Sequence, residues 1–172
     1  RGCRDGHYLT SNAWTTGERE RQMATYLVTG GAGFIGSNIA TELVERGETV
    51  RVLDNMATGR RENLAAIEDR IEFFERDIRD LEAIRPAFKG ADFVLHQAAL
   101  PSVPRSVKDP VTSNEVNVGG NLNVLIAARD AEVKRVVFAS SSSVYGRNRE
   151  LPKRESMLQQ PISPYAGSKL AG

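Results

Sequence analysis

Short apolar runs alternate along this chain with longer segments whose apolar residues recur at helical spacing. Tyr26–Thr29 is apolar and β-favouring, and a glycine-rich turn follows it. The next segment, FIGSNIATELVERG, carries Ile35, Ile39 and Leu43 at i, i+4 and i+8, with Ala40 and Val44 on the adjoining stripe and Gly47 as a stop. This predicts a helix with an apolar face. Thr49–Leu53 reads as a second strand, Glu62–Asp69 as a helix, and Ile71–Phe74 as a third strand running out at Asp77. Asp80–Phe88 is a short helix capped by Asp80, its end distorted by Pro86. Phe93–Leu95 and Val136–Ala139 are further strands, and Ser113–Ala131 between them places Val116, Leu122, Leu125 and Ile126 at helical spacing. Strands that alternate with helices, never adjacent to one another, predict a parallel sheet covered on both faces. Ligands of such sheets bind beyond the carboxyl ends of the strands.

Residues 1–22 lack either period. They are polar and rich in Gly, Thr and Arg, and Trp14 has no apolar neighbours. Neither a secretory signal nor an acid-poor transit peptide fits them, since an apolar centre is missing and Asp5, Glu18 and Glu20 are present. They are expected to form a disordered extension, with a single domain over 23–172. At the other end PISPYAGSKLAG opens a helix and stops, so the domain is expected to be incomplete at its C-terminus.

Composition narrows the function classes. Among 172 residues, 23 Lys and Arg face 22 Asp and Glu, and a net charge of +1 gives no electrostatic reason to expect nucleic acid or a membrane surface as partner. Cys3 is the only cysteine, and His7 and His96 are the only histidines, so no metal site is expected. No apolar run approaches the roughly 20 residues of a spanning helix. A soluble, cytoplasmic protein is the expectation.

The candidate chemistry follows the strands. Gly30, Gly33 and Gly36 follow the first strand as G-x-x-G-x-x-G, a spacing that allows a tight turn, close backbone approach to a pyrophosphate and close helix–sheet packing. Asp54 ends the second strand, near the separation of about 20 residues expected of a ribose-binding acid. A carboxylate there favours NAD over NADP, while Arg60 and Arg61 close behind it bear the other way. Ser140–Ser143 presents four hydroxyls after the fifth strand. Tyr165 and Lys169 stand at i and i+4, so they share one helix face, and an ammonium so placed favours the phenolate of its neighbour.

Together these blocks resemble the extended short-chain dehydrogenase/reductase family, in its nucleotide-sugar epimerase/dehydratase branch. The resemblance runs from about Met23 to the end, through VTGGAGFIGS (28–37), LDN (53–55), RDIRD (76–80), HQAALPSVPRS (96–106), SNEVNVGG (113–120), ASSSSVYG (139–146) and SPYAGSK (163–169). It implies an α/β fold, a Rossmann-type doubly wound parallel sheet truncated before the family's substrate domain, with NAD as cofactor. It further implies that Gly30, Gly33, Phe34, Ile35 and Gly36 lie along the pyrophosphate, and that Asp54, Asn55 and Gly59 lie at the adenosine ribose. Asp77 and Ile78 would contact adenine; Gln97, Ala98 and Ala99 would line the route to the nicotinamide. Asn117 would hold the architecture on the cofactor side. Ser141, Tyr165 and Lys169 match the catalytic serine, tyrosine and lysine; Ser102, Ser142 and Ser143 would touch the sugar.

Blander roles stand beside these. His96 reads as a strand-end structural residue, Asn117 as a bridge between backbone groups, Arg105 as a surface arginine and Tyr145 as a packing residue. Dehydratases of the branch carry an acid pair where this chain has Ser142 and Ser143, and decarboxylases a glutamate at the second position. The resemblance therefore implies 4-epimerisation of a UDP-sugar through a transient 4-keto sugar. Dehydration, decarboxylation or a non-catalytic NAD-binding fragment are the alternatives. It also implies a homodimer in the full-length protein, paired through helices that include the one bearing Tyr165.

Overall fold

Five strands form one parallel sheet: β1 (Thr25–Thr29), β2 (Thr49–Asp54), β3 (Ile71–Glu75), β4 (Phe93–His96) and β5 (Arg135–Phe138), in the order β3-β2-β1-β4-β5. The computed structural model describes residues 23–172, so the expected extension over 1–22 lies outside the described residues. The chain starts at the middle of the sheet, builds to one edge, then crosses back past β1. The crevice at that reversal, between the carboxyl ends of β1 and β4, is where an open α/β sheet receives a ligand.

Alternation along each strand feeds two cores. Leu27, Leu53 and Val94 face one side, where Ile84, Ala87 and Phe88 of α2 (Leu81–Phe88) and Val124, Ala127 and Ala128 of α5 (Asn121–Asp130) cover them. Val28, Val50 and Val52 face the other, under Ala40 and Val44 of α1 (Phe34–Glu45) and the loop residues Leu64 and Ile67. Between β4 and β5 the chain also makes the short helices α3 (Val103–Lys108) and α4 (Pro110–Asn114), then a π-helical stretch, Glu115–Gly120. The chain closes with α6 (Pro164–Ala171). Among the described residues no helix is long and apolar enough to cross a membrane.

Several expectations need correction. The Glu62–Asp69 helix is replaced by two single 3₁₀ turns, Arg61–Leu64 and Glu68–Arg70; Leu64 in the first and Ile67 between them are buried. In α1 the buried stripe is Gly36, Ser37, Ala40 and Val44, while Ile35 is 61% exposed and Ile39 and Leu43 only flank the core. Close contact of Gly36 with the glycine turn sets that rotation. Leu122 and Leu125 are exposed instead of buried, because the spacing counted from Val116 passes through the wider π-helical winding and slips in phase. Pro86 does not disturb the end of α2. It lies on the solvent face, where the carbonyl that loses its partner can be hydrated.

Candidate active site

The turn after β1 is dictated by contact. Gly30 has φ of 68° and donates its N–H to the Leu53 carbonyl at 2.7 Å, while a Cβ there would lie 2.6 Å from the Ala98 nitrogen. A Cβ on Gly36 would lie 2.2 Å from the Gly30 carbonyl oxygen. Only glycine lets α1 begin this close to the sheet. Gly33 caps α1 without a side-chain hydrogen bond, and the first turn holds no acid. The positive end of a twelve-residue helix therefore meets no protein carboxylate of its own first turn.

A cleft of about 600 Å³ opens beyond this turn. Gly30, Gly33, Phe34, Ile35 and Gly36 line it on one side. Asp54 lines it at the tip of β2 and pins the surroundings, since its carboxylate accepts the Ala32 N–H at 3.0 Å and the Met56 N–H at 2.9 Å. Gly59 packs beneath, where a Cβ would stand 2.7 Å from that of Ala32. Asn55 and Ile78 also line the cleft. Asp77 stands behind them. It accepts from the Asn55 amide at 2.8 Å and from two nitrogens of the Arg79 guanidinium at 3.1 and 2.8 Å. Hydrogen bonding to Arg79 holds the Asp77 carboxyl down at about 2, against the opposing pull of its partial burial.

Gln97, Ala98 and Ala99 carry the cleft past β4 to Tyr165 and Lys169, which line it too. Two sequence-distant halves, the glycine turn and the Tyr–Lys helix, thus share one cavity. Lys169 is 5% exposed; burial lowers its pKa, and its Nζ donates to the Ala139 carbonyl at 2.9 Å and stands 4.8 Å from the Phe138 ring centroid. Asn117 lies behind the wall. Its Oδ1 accepts from the Leu100 N–H at 2.8 Å, and its Nδ2 donates to the Leu100 carbonyl and the Ser168 hydroxyl, each at 3.1 Å.

The serine run divides between the cleft wall and the turn beyond it. Ser140 lines the cleft. Ser141 instead caps the 3₁₀ turn Ser142–Tyr145, accepting the Ser143 N–H at 3.2 Å and sharing a hydroxyl hydrogen bond with Ser143. Ser141, Ser142 and Ser143 are not in the cleft wall, nor is Ser102, which caps α3. Among the polar lining residues, sequence reasoning missed Thr58, Arg76, Arg79, Thr112 and Ser140. Arg76 and Arg79 flank Asp77 within the quoted RDIRD block, so proximity to an expected adenine contact was the available signal.

His96 is 1% exposed at the end of β4. Thr29 Oγ1 accepts the Ala98 N–H and is hydrogen bonded to His96 Nδ1, which suits a neutral ring. Burial, helped by the Lys169 charge, pushes the imidazole down to about 4 from 6.5. Between those values the unfolded chain holds more protons than the folded one, so stability falls as pH drops through this window. The loss expected is about 3 kcal/mol. Urea unfolding at pH 7.5 and 4.5 measures it. His96→Asn should be less stable at pH 7.5 but show a shallower pH slope; an unchanged slope would assign the loss to other groups.

Comparison with known proteins places this arrangement. The sequence model of the NAD dependent epimerase/dehydratase family matches residues 26–172. A UDP-glucose 4-epimerase of Streptomyces lividans is 44% identical over 149 residues, covering 85% of this chain and 44% of that protein. The crystal structure of Thermus thermophilus UDP-glucose 4-epimerase in complex with NAD superposes with a TM-score of 0.79 at 47% identity, over 86% of this chain and 48% of that one. DesIV, a dTDP-glucose 4,6-dehydratase from Streptomyces venezuelae with NAD bound, gives 0.81 at 38% identity, over 86% and 48%. The chain spans about half the length of these relatives.

Proposed function

The chain belongs to the NAD dependent epimerase/dehydratase family, and from that membership we propose that it is the cofactor-binding part of an enzyme that epimerises a UDP-sugar at C4. One observation carries the reading: a single cleft runs from an acid-free helix N-terminus and Asp54 to Tyr165 and Lys169. NAD fits the residues present. The turn would hold the pyrophosphate where a side chain at Gly30 or Gly36 would collide, and Asp54 and Asn55 would take the adenosine ribose. Ile78 and the Asp77-held Arg79 would border the adenine.

NAD bound in this cleft would supply a hydride acceptor at its nicotinamide end. Tyr165 takes the proton of the C4 hydroxyl and gives it back. Lys169, oriented by the Ala139 carbonyl, sits one helical turn along the same face and holds the nicotinamide ribose. Ser141 or its neighbour Ser140 supplies the accompanying hydroxyl; Ser140 is the one in the cleft wall. Ser102, Ser142 and Ser143 are the proposed sugar contacts. Their hydroxyls offer no general acid for elimination of water, which favours epimerisation over dehydration.

A homodimer is part of the proposal. Val107 and Val111 on α3 and α4, Leu122 and Leu125 on α5, and Leu170 on the helix of Tyr165 are exposed apolar side chains that such pairing would cover. The near-neutral net charge supports a small-molecule partner over nucleic acid or a membrane surface, and a cytoplasmic location is proposed with it. The test is incubation of the full-length protein with NAD and UDP-glucose or UDP-N-acetylglucosamine, products being read by NMR. The C4 epimer without net NADH is expected. A 4-keto-6-deoxy product would replace the reading with dehydration, and NAD binding without any turnover would reduce it to cofactor binding.

A further inference from the structure

The first turn of α6 has its own hydrogen-bond accounting. Pro164, at the first helical position, has no N–H. The Ala166 N–H donates to the Ser163 hydroxyl at 3.1 Å and the Gly167 N–H to the Ser163 carbonyl at 2.9 Å. The remaining donor of that turn is the N–H of Tyr165 itself. Ser106 on α3, distant by 59 residues in sequence, accepts it at 3.0 Å. The Ser106 hydroxyl proton is committed to the Val103 carbonyl at 2.8 Å, which leaves the oxygen oriented as an acceptor. Ser106 is 1% exposed, so water does not compete for the bond.

The carbonyl of Tyr165 is held as well. Ser168 donates to it at 2.8 Å, and Asn117 joins Ser168 to the backbone of Leu100. Hydrogen bonds therefore close a ring: Leu100, Asn117, Ser168, Tyr165, Ser106, and back along the chain. The start of the Leu100–Ser106 segment, Leu100 and Pro101, lines the cleft.

We propose that Ser106 is a positioning residue for Tyr165, holding its main chain so that the phenol meets the sugar hydroxyl in the cleft. The proposal rests on Tyr165 as proton acceptor in UDP-sugar epimerisation. Release of the Tyr165 N–H lets the start of α6 shift, and the hydroxyl lies at the far end of a long lever from that point. Proton transfer is sensitive to displacements of about 1 Å, which cost as much as ~10²-fold in rate. Ser106→Ala is expected to lower kcat about tenfold, with KM for the UDP-sugar and affinity for NAD unchanged. Deuterium exchange at the Tyr165 amide should accelerate in the same variant, a readout independent of turnover. Ser106→Thr, which retains the hydroxyl, should recover kcat. If the alanine variant does not fold, Ser106→Cys, close in size but a poor acceptor, carries the same expectation. Parental kcat in an active, folded variant overturns the proposal, as does a joint fall in kcat and NAD affinity with a rise in KM, which marks a general structural role. Absence of turnover in the full-length parent, or its survival in Tyr165→Phe, overturns the underlying reading instead.

Discussion

Tyr165→Phe is expected to lower epimerase turnover by about 10³- to 10⁴-fold, the upper part of the range for a lost general base, while NAD affinity stays close to that of the parent. The structure separates the two effects. Tyr165 lines the cleft, its N–H is bonded to Ser106 and its carbonyl to Ser168, and all three features survive in phenylalanine. No hydrogen bond among the described residues engages the hydroxyl. Deleting it removes the proton acceptor without loosening α6 or unsatisfying a buried partner. Steady-state turnover of the UDP-sugar, paired with a fluorescence titration of NAD, decides the matter. Turnover within a few-fold of the parent would mean that the proton goes elsewhere and that the catalytic assignment is wrong.

Gly36→Ala is expected to damage the cofactor half, with NAD affinity falling at least tenfold and stability by about 1–3 kcal/mol, the cost of forcing extra atoms into a packed site. A Cβ at this position would be 2.2 Å from the Gly30 carbonyl oxygen and 2.7 Å from the Gly31 Cα. Both are backbone atoms of the turn that would cradle the pyrophosphate, so relief moves that turn. Gly119→Ala serves as the control, since a Cβ there meets nothing within 4 Å. Calorimetric NAD titration of the two variants should separate them clearly. Parental affinity in Gly36→Ala would show that the turn yields without consequence and that its close packing is not what shapes the site.

The glycine turn was legible because its causes are local. Three glycines at regular spacing after an apolar run permit a strand, a tight turn and a closely packed helix with little help from elsewhere. Asp54 was legible for the same reason, as the acid at the end of the next strand. The serine loop was legible only in outline. A run of four identical side chains carries no signal about which one faces inward, and the 3₁₀ turn that begins at Ser142 takes Ser141 for its cap and leaves Ser140 in the cleft wall.

His96 and Asn117 are both buried, and their polar atoms are engaged by neighbouring residues. The imidazole stands 5.6 Å from the Phe138 ring, centroid to centroid, with its Nδ1 hydrogen bonded to Thr29 Oγ1. Asn117 was expected either to support the cofactor side or to bridge backbone groups. It bridges the backbone of Leu100, and through Ser168 that bridge reaches Tyr165.

By itself the sequence determined the alternation of strands and helices, and hence a parallel sheet, together with the turn, the acid and the Tyr–Lys pair at the ends of its elements. These depend on spacings of a few residues, where periodicity and backbone chemistry act directly. Tertiary structure alone decided the rotation of α1 and of α5, the serine that faces the cleft, and the clamp of Ser106 on Tyr165. A helix turns whichever stripe packs most closely toward the sheet, even if its largest apolar residues lie elsewhere. A hydrogen bond spanning 59 residues leaves no local trace, because the donor is a backbone N–H that every residue but proline possesses.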